Sequence, residues 1–268
     1  MKKLWVVKIG GNVVDDPTTL ACVLAALAAH PEPLVVVHGG GKLATKLAEK
    51  LDVPQQMIEG RRVTNAATLD IAMMVYAGLI NKQIVARLQA AGRNAIGLSG
   101  ADGNAITATK RPITPIDFGF VGDLNPASVR VPLFNTLLQA RLTPIFCALT
   151  HNGEGQMLNT NADTLAQAIA VALAMAPRAS YQTQLLYLFE MKGVMRDIKD
   201  PNSLIEQIRI DEVEALVADG TISHGMVPKI RNAAEAVRHG VETVLIGQPA
   251  QLAHILQNKT DACTRVVA

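Results

Sequence analysis

The sequence predicts a three-layer α/β/α sandwich around a mainly parallel sheet, divided into two lobes, and three observations carry that prediction. Six short aliphatic or β-branched runs recur along the 268-residue chain. Helix-period segments separate most of them, the alternation that covers both faces of a parallel sheet with helices. Two of the early runs end in glycine turns that open helical segments, as happens at the carboxyl edge where such sheets bind ligands.

In chain order the runs are Leu4 to Ile9, Leu34 to His38, Ala95 to Leu98, Pro144 to Ala148, Leu185 to Phe189 and Thr243 to Ile246. Each is short and apolar enough to be buried on both faces of a sheet. Between the second and third, Thr68 to Ala91 spaces Leu69, Met73, Tyr76, Ile80, Ile84 and Leu88 three or four apart, which predicts a helix with one face on the sheet. From Ala105 to Val131 the rhythm breaks into Thr, Pro, Asp and Gly among short apolar pairs, the pattern of hairpins and loops that can fold over a ligand. Thr164 to Met175 is almost wholly apolar and predicts a central helix. Ala174-Met175-Ala176-Pro177-Arg178 ends it and marks the expected lobe boundary, with lobes at 1–176 and 177–268.

Composition narrows the function. Apolar residues make up 49% of the chain and charged residues 18%, enough to bury a large core. A formal net charge of +2, with no block of like charges, does not fit a nucleic-acid or membrane-surface protein and directs attention to a small-molecule partner. Cys22, Cys147 and Cys263 are far apart and show no CxxC spacing, so neither a disulfide framework nor a thiolate metal site is expected. The opening Met1-Lys2-Lys3-Leu4-Trp5-Val6-Val7 is interrupted by Lys8, Gly10 and Gly11 too early for a signal peptide, and no uninterrupted apolar stretch is long enough for a membrane span. A cytoplasmic protein is expected.

The chemistry-bearing residues gather at strand ends. Lys8-Ile9-Gly10-Gly11-Asn12 and His38-Gly39-Gly40-Gly41-Lys42 each offer backbone N–H groups and a helix N-terminus to an anion. Neither is a standard phosphate fingerprint: Leu43 follows Gly41-Lys42 where a Walker A motif needs Ser or Thr, and Gly153-Glu154-Gly155 lacks the third glycine of a dinucleotide motif. Lys8 ends an apolar strand, where its ammonium either snorkels out or meets an anion beside the turn. Asn159-Thr160-Asn161-Ala162-Asp163 concentrates polarity at the start of a buried helix, where capping and a ligand site are both open readings. His224-Gly225-Met226-Val227-Pro228-Lys229 opens another helix ending near Gly240, and places Lys229 at the positive end of its dipole, an unfavourable seat unless an anion lies nearby.

Taken together these motifs resemble the amino-acid kinase family over essentially the whole chain. The resemblance rests on Lys8-Ile9-Gly10-Gly11, Val37-His38-Gly39-Gly40-Gly41, Gly60-Arg61-Arg62-Val63-Thr64, Gly97-Leu98-Ser99-Gly100-Ala101-Asp102-Gly103, Leu158-Asn159-Thr160-Asn161-Ala162-Asp163 and Gly225-Met226-Val227-Pro228-Lys229, in order. It implies ATP-dependent phosphorylation of the side-chain carboxylate of an N-acyl-L-glutamate, with Mg²⁺ arriving on the nucleotide and a homodimeric assembly. By residue, it implies Lys8 and Lys229 as the cations on the transferring phosphoryl group and Asp163 as the carboxylate that holds both. Gly39 and Gly40 are implied as backbone donors to the reacting carboxylate, Arg62 as the clamp on the α-carboxylate and Asn159 as the partner of the acylated amino end. Gly10 and Gly11 are implied to cradle phosphoryl oxygens, and Glu190 and Gly193 to stand in the nucleotide lobe. A side-chain carboxylate is already ionised at neutral pH, so this chemistry needs positioning and positive charge rather than a general base, and a structural hydrogen-bonding role is expected for His38.

Three departures from the family pattern stand out. Phe189-Glu190-Met191-Lys192-Gly193-Val194 occupies the place of an aspartate-containing strand end, Arg61 replaces a leucine beside the substrate arginine, and His224 replaces a glycine. Arg61 suits an N-succinyl substrate, whose extra carboxylate it could meet. The first strand begins within a few residues of Met1, where arginine-inhibited relatives carry an additional helix, so insensitivity to arginine is expected. A kinase for another small acid and a catalytically silent ligand sensor are the remaining readings; joint retention of Lys8, Asp163 and Lys229 argues against the second.

Overall fold

Along the first strand the side chains alternate between two cores: Leu4 and Val6 enter one, Trp5, Val7 and Ile9 the other. That is the signature of a strand buried on both faces, and it repeats along the neighbouring strands. The computed structural model describes residues 2–58, 61–176, 181–197, 200, 202–222, 226–259 and 263–268, apart from the Pro228 side chain. Of the expected features, Gly60, His224-Gly225 and the Pro177-Arg178 end of the lobe boundary lie outside them.

Eight strands form one sheet: β1 (Lys2–Ile9), β2 (Leu34–His38), β3 (Ala95–Leu98), β4 (Thr143–Cys147), β5 (Tyr181–Leu188), β6 (Gln207–Arg209), β7 (Thr243–Gly247) and β8 (Thr264–Val267). Their order is β6-β8-β7-β5-β1-β2-β4-β3. All pairs are parallel except β7 with β8. The six expected strands are all present, and the sheet continues through the β1–β5 pair across the two halves of the chain. Two short strands, β6 and β8, carry no strong apolar run and were not expected.

Nine helices concern the argument: α1 (Gly11–Asp15), α2 (Pro17–Ala29), α3 (Gly41–Lys50), α4 (Ala66–Ala90), α5 (Val131–Gln139), α6 (Ala162–Ala174), α7 (Val213–Ala218), α8 (Met226–Arg238) and α9 (Leu252–Leu256). Residues of α5, α6, α7 and α8 fill the core on one face of the sheet, those of α2, α3, α4 and α9 the core on the other. Each buried Leu, Ile, Val or Phe contributes on the order of 1.5–3 kcal/mol, so two continuous cores hold the sheet rigid beneath its loops.

Helix α4 is 25 residues long and apolar, yet it packs its Leu69, Tyr76, Ile80, Ile84 and Leu88 into the second core. Met73 departs from the expected stripe and is 36% exposed. A π-helical stretch over Met73–Ile80 begins at this residue, and Ala72 and Val75 are buried beside the stripe.

The irregular segment expected from Ala105 to Val131 contains the hairpin Thr109–Lys110 with Gly122–Asp123. Val121 bridges to Asn159 and Gly119 to Thr64, which ties the flap to two motifs of the site.

Candidate active site

The carboxyl ends of β1 and β2 each deliver the chain into a helix N-terminus. Gly10 precedes α1 and Gly40 precedes α3, neither with a side-chain cap. The third N-terminus, that of α6, is capped: Asn161 Oδ1 accepts from Asp163 N at 2.8 Å and Thr164 N at 3.0 Å. Capping by Asn161 leaves the Asp163 carboxylate to pair with Lys8, Nζ to Oδ1 2.8 Å. Both readings of the Asn159–Asp163 cluster therefore hold at once. Behind the pair, Tyr187 Oη donates to the Asp163 backbone carbonyl at 3.3 Å, and burial together with the Asp163 charge raises the phenol well above its ordinary value.

A cleft of about 220 Å³ opens beside the N-termini of α3 and α6. Its lining includes Gly39, Gly40, Arg62 and Asn159, so the four residues expected to bind the substrate share one cavity. The Arg62 guanidinium donates from Nη2 to the Gly41 carbonyl at 2.9 Å and to Thr45 Oγ1 at 2.8 Å, and from Nη1 to Gln55 Oε1. Asn159 Nδ2 donates to Thr64 Oγ1 at 3.0 Å, leaving its carbonyl oxygen for a ligand donor.

Sequence reasoning did not pick out three further lining residues. Tyr76 reaches the cleft from the π-helical stretch, and Arg111 arrives on the flap already paired with Asp123 through bifurcated hydrogen bonds and seated 5.3 Å from the centroid of Phe118. A tyrosine in a helical stripe reads as core, and the flap residues become neighbours of the cleft only through the bridges to Asn159 and Thr64. Arg61 also lines the cleft; among the described residues it has no ion pair.

Three expected roles are altered by the geometry. The Gly10 N–H donates to the Leu188 carbonyl at 3.1 Å, so it is spent within the sheet and is not a phosphoryl donor. Gly10 is required for fit, because a Cβ there would stand 2.8 Å from that carbonyl. Gly11, in contrast, has open space around it and presents the first-turn amide of α1. Gly193 is packed, not open: an added Cβ would meet Thr264 Oγ1 at 2.5 Å and Leu204 Cδ1 at 2.6 Å.

Asp163 holds Lys8 but not Lys229. Lys229 Nζ lies 4.6 Å from the centroid of the Phe189 ring, a cation–π seat that replaces the carboxylate contact. The departure at Phe189 thus has a use, since it offers the Lys229 ammonium a resting place at the carboxyl end of β5. Glu190 beside it is exposed.

An open, mainly parallel sheet with glycine turns, a Lys–Asp pair and an arginine-lined cleft at its carboxyl edge defines an α/β protein of the kind whose helix N-termini suit a small anion. The chain belongs to the amino acid kinase family, whose sequence model matches residues 3–248. It is 45% identical over 269 residues to an acetylglutamate kinase of Cytophaga hutchinsonii, with all of both chains covered. An acetylglutamate kinase of Bacteroides thetaiotaomicron is 47% identical over 245 residues, 91% of this chain and 93% of that one. Among solved structures, the smu.665 protein of Streptococcus mutans matches with a TM-score of 0.78 at 30% identity, covering 100% of each chain.

Proposed function

We propose that this protein is an acetylglutamate kinase, transferring the γ-phosphoryl group of ATP to the side-chain carboxylate of N-acetyl-L-glutamate in arginine biosynthesis. The observation that carries the reading is the cleft itself, which gathers Gly39, Gly40, Arg62 and Asn159 beside the α6 N-terminus from which Asp163 holds Lys8. Full-length relatives named acetylglutamate kinase support the same substrate.

A carboxylate oxygen attacks the γ-phosphorus as the bond from phosphorus to the bridging oxygen of ADP breaks, and no proton moves. The barrier is the approach of two anions, so the protein's contribution is charge and alignment. Arg62 and Asn159 grip the two ends of the acylated amino acid, while the Gly39–Gly40 turn receives its reacting carboxylate. Lys8, held by Asp163, and the open amide of Gly11 face the phosphoryl oxygens. Lys229 approaches from the nucleotide side, leaving Phe189 as ATP enters. In this reading Mg²⁺ arrives on the triphosphate, while the Asp163 carboxylate is taken up by Lys8.

In this reading the lobes divide at 176/177, with the acylglutamate on the first and ATP on the second, Glu190 standing at the edge of the nucleotide site. A homodimer in the cytoplasm completes it; the exposed Met73, Met74 and Leu79 on α4 supply an apolar row for a second copy.

Incubation with ATP and N-acetyl-L-glutamate, following ADP release and trapping the acyl phosphate with hydroxylamine, tests the reading. No ADP release above background overturns it. One observation favours a second acyl group: Arg61 lines the cleft and has no ion-pair partner among the described residues, as an N-succinyl carboxylate would require. Comparing kcat/KM for the two acylglutamates decides between them.

A further inference from the structure

His38 is fully buried at the end of β2, immediately before the glycine turn. Its two ring nitrogens have fixed partners. Nδ1 lies 2.8 Å from the Gly39 carbonyl oxygen, which can only accept. Nε2 lies 3.1 Å from Asn81 Nδ2, which can only donate. The imidazole is therefore the neutral Nδ1–H tautomer, donating to Gly39 and accepting from Asn81.

Asn81 is itself held. Its Nδ2 also donates to the Ile145 carbonyl at 2.8 Å, and its Oδ1 accepts from Lys82 Nζ at 3.3 Å. Gly97 makes the room: a Cβ there would fall 1.9 Å from Asn81 Oδ1. The amide is buried and satisfied on both ends, so it has one orientation.

The consequence lies in the peptide that joins Gly39 to Gly40. In a trans peptide the carbonyl and the N–H point in opposite directions. With the Gly39 carbonyl drawn toward His38, the Gly40 N–H is turned the other way. Both glycines line the cleft, and among the described residues the Gly40 N–H has no partner within the protein. From the other side Gly40 is pressed by α4, where an added Cβ would meet Ile80 Cδ1 at 2.2 Å and Tyr76 Cδ1 at 2.9 Å.

We infer that His38 and Asn81 are positioning residues, a buried relay that orients the Gly39–Gly40 peptide so that the Gly40 N–H points at the reacting carboxylate of the acylglutamate. The inference rests on the kinase reading above. It gives the buried histidine a task in place of proton transfer: it never touches substrate, and its ring is kept neutral, with a pKa lowered to about 4 by burial. The titratable groups facing the relay are the Cys147 thiol, paired in register with His38 and pushed up to about 12 by burial, the Lys82 ammonium on Asn81, and Tyr76 beyond Gly40.

The first test is on the unaltered protein. Nitrogen-15 NMR of the His38 imidazole should show the neutral Nδ1–H tautomer from pH 5.5 to 8; the Nε2–H tautomer, or an imidazolium at pH 6, would overturn the relay. The second is kinetic. Asn81→Leu keeps the volume and removes the donor to His38, and should lower kcat at saturating substrates by about tenfold or more while the KM for ATP stays within twofold. A folded Asn81→Leu protein with kcat within twofold of the parent also overturns the inference. If the parent shows no acylglutamate-dependent ADP release, it is the kinase reading that fails, and the tautomer measurement still reports on the relay.

Discussion

Lys8 Nζ and Asp163 Oδ1 stand 2.8 Å apart, joining the end of the first strand to the first turn of the central helix, with side chains 14% and 24% exposed. A partly buried ion pair costs desolvation that packing alone does not offset, and in the proposed reaction an approaching phosphoryl group would give it a use. Lys8→Ala should leave the fold intact and lower kcat by about 100-fold, an effect of the size seen when one preorganised donor is removed from a charged transition state. Steady-state rates at saturating ATP and acylglutamate check this. A variant that loses only substrate affinity would place Lys8 outside the phosphoryl path.

Gly40 is caught between the turn it opens and the helix that presses on it. Gly40→Ala introduces a Cβ 2.2 Å from Ile80 Cδ1 and 2.9 Å from Tyr76 Cδ1. Overpacking at such a site should cost roughly 1–3 kcal/mol and displace the turn. Urea denaturation should show the lower midpoint, and acylglutamate turnover should fall further than stability alone explains.

Two histidines set a pH dependence of stability. His38 and His30 both have folded-state values of about 4, lowered by burial from 6.5, with the Arg93 charge adding to the shift at His30. As pH falls below 6.5 the unfolded chain takes up protons that the folded chain refuses. The stabilisation is complete above pH 6.5 and is lost between there and about pH 4, at roughly 1.4 kcal/mol per pH unit for the fully buried His38. Urea midpoints at pH 7.5, 6 and 5 should fall in that order; a midpoint that is flat or rises on acidification contradicts it.

Gly193 distinguishes packing from nucleotide binding. With Thr264 Oγ1 at 2.5 Å and Leu204 Cδ1 at 2.6 Å from an added Cβ, Gly193→Ala should lower the thermal midpoint by several degrees, as a loss of about 1–2 kcal/mol does in a chain of this size. The KM for ATP of the folded fraction should be unchanged. A raised KM with an unchanged melting temperature would return Gly193 to the nucleotide site.

Much of this architecture is legible in the sequence alone. Aliphatic runs such as Leu34 to His38 are strands in any context that buries both faces, and glycines directly after two of them mark turns into helices. Gly39, Gly40, Arg62 and Asn159, which the family resemblance grouped around one substrate, line one cleft. Periodicity failed at Met73, which fits a 3.6-residue stripe and is exposed where the π-helical stretch begins.

What the sequence determined by itself is therefore six of the eight strands, the glycine turns after two of them and the residues offered to an anion. What only the tertiary structure decided is which of their polar groups remain free. The Gly10 N–H is taken by Leu188 because β5 lies beside β1, the Gly39 carbonyl meets His38 while the Gly40 N–H has no partner among the described residues, and Lys229 rests on Phe189 while Lys8 takes Asp163. The physical reason is range: local composition sets backbone geometry within a turn or two, whereas hydrogen-bond partners are assigned by strands and helices far apart in the chain, after the sheet has brought them together.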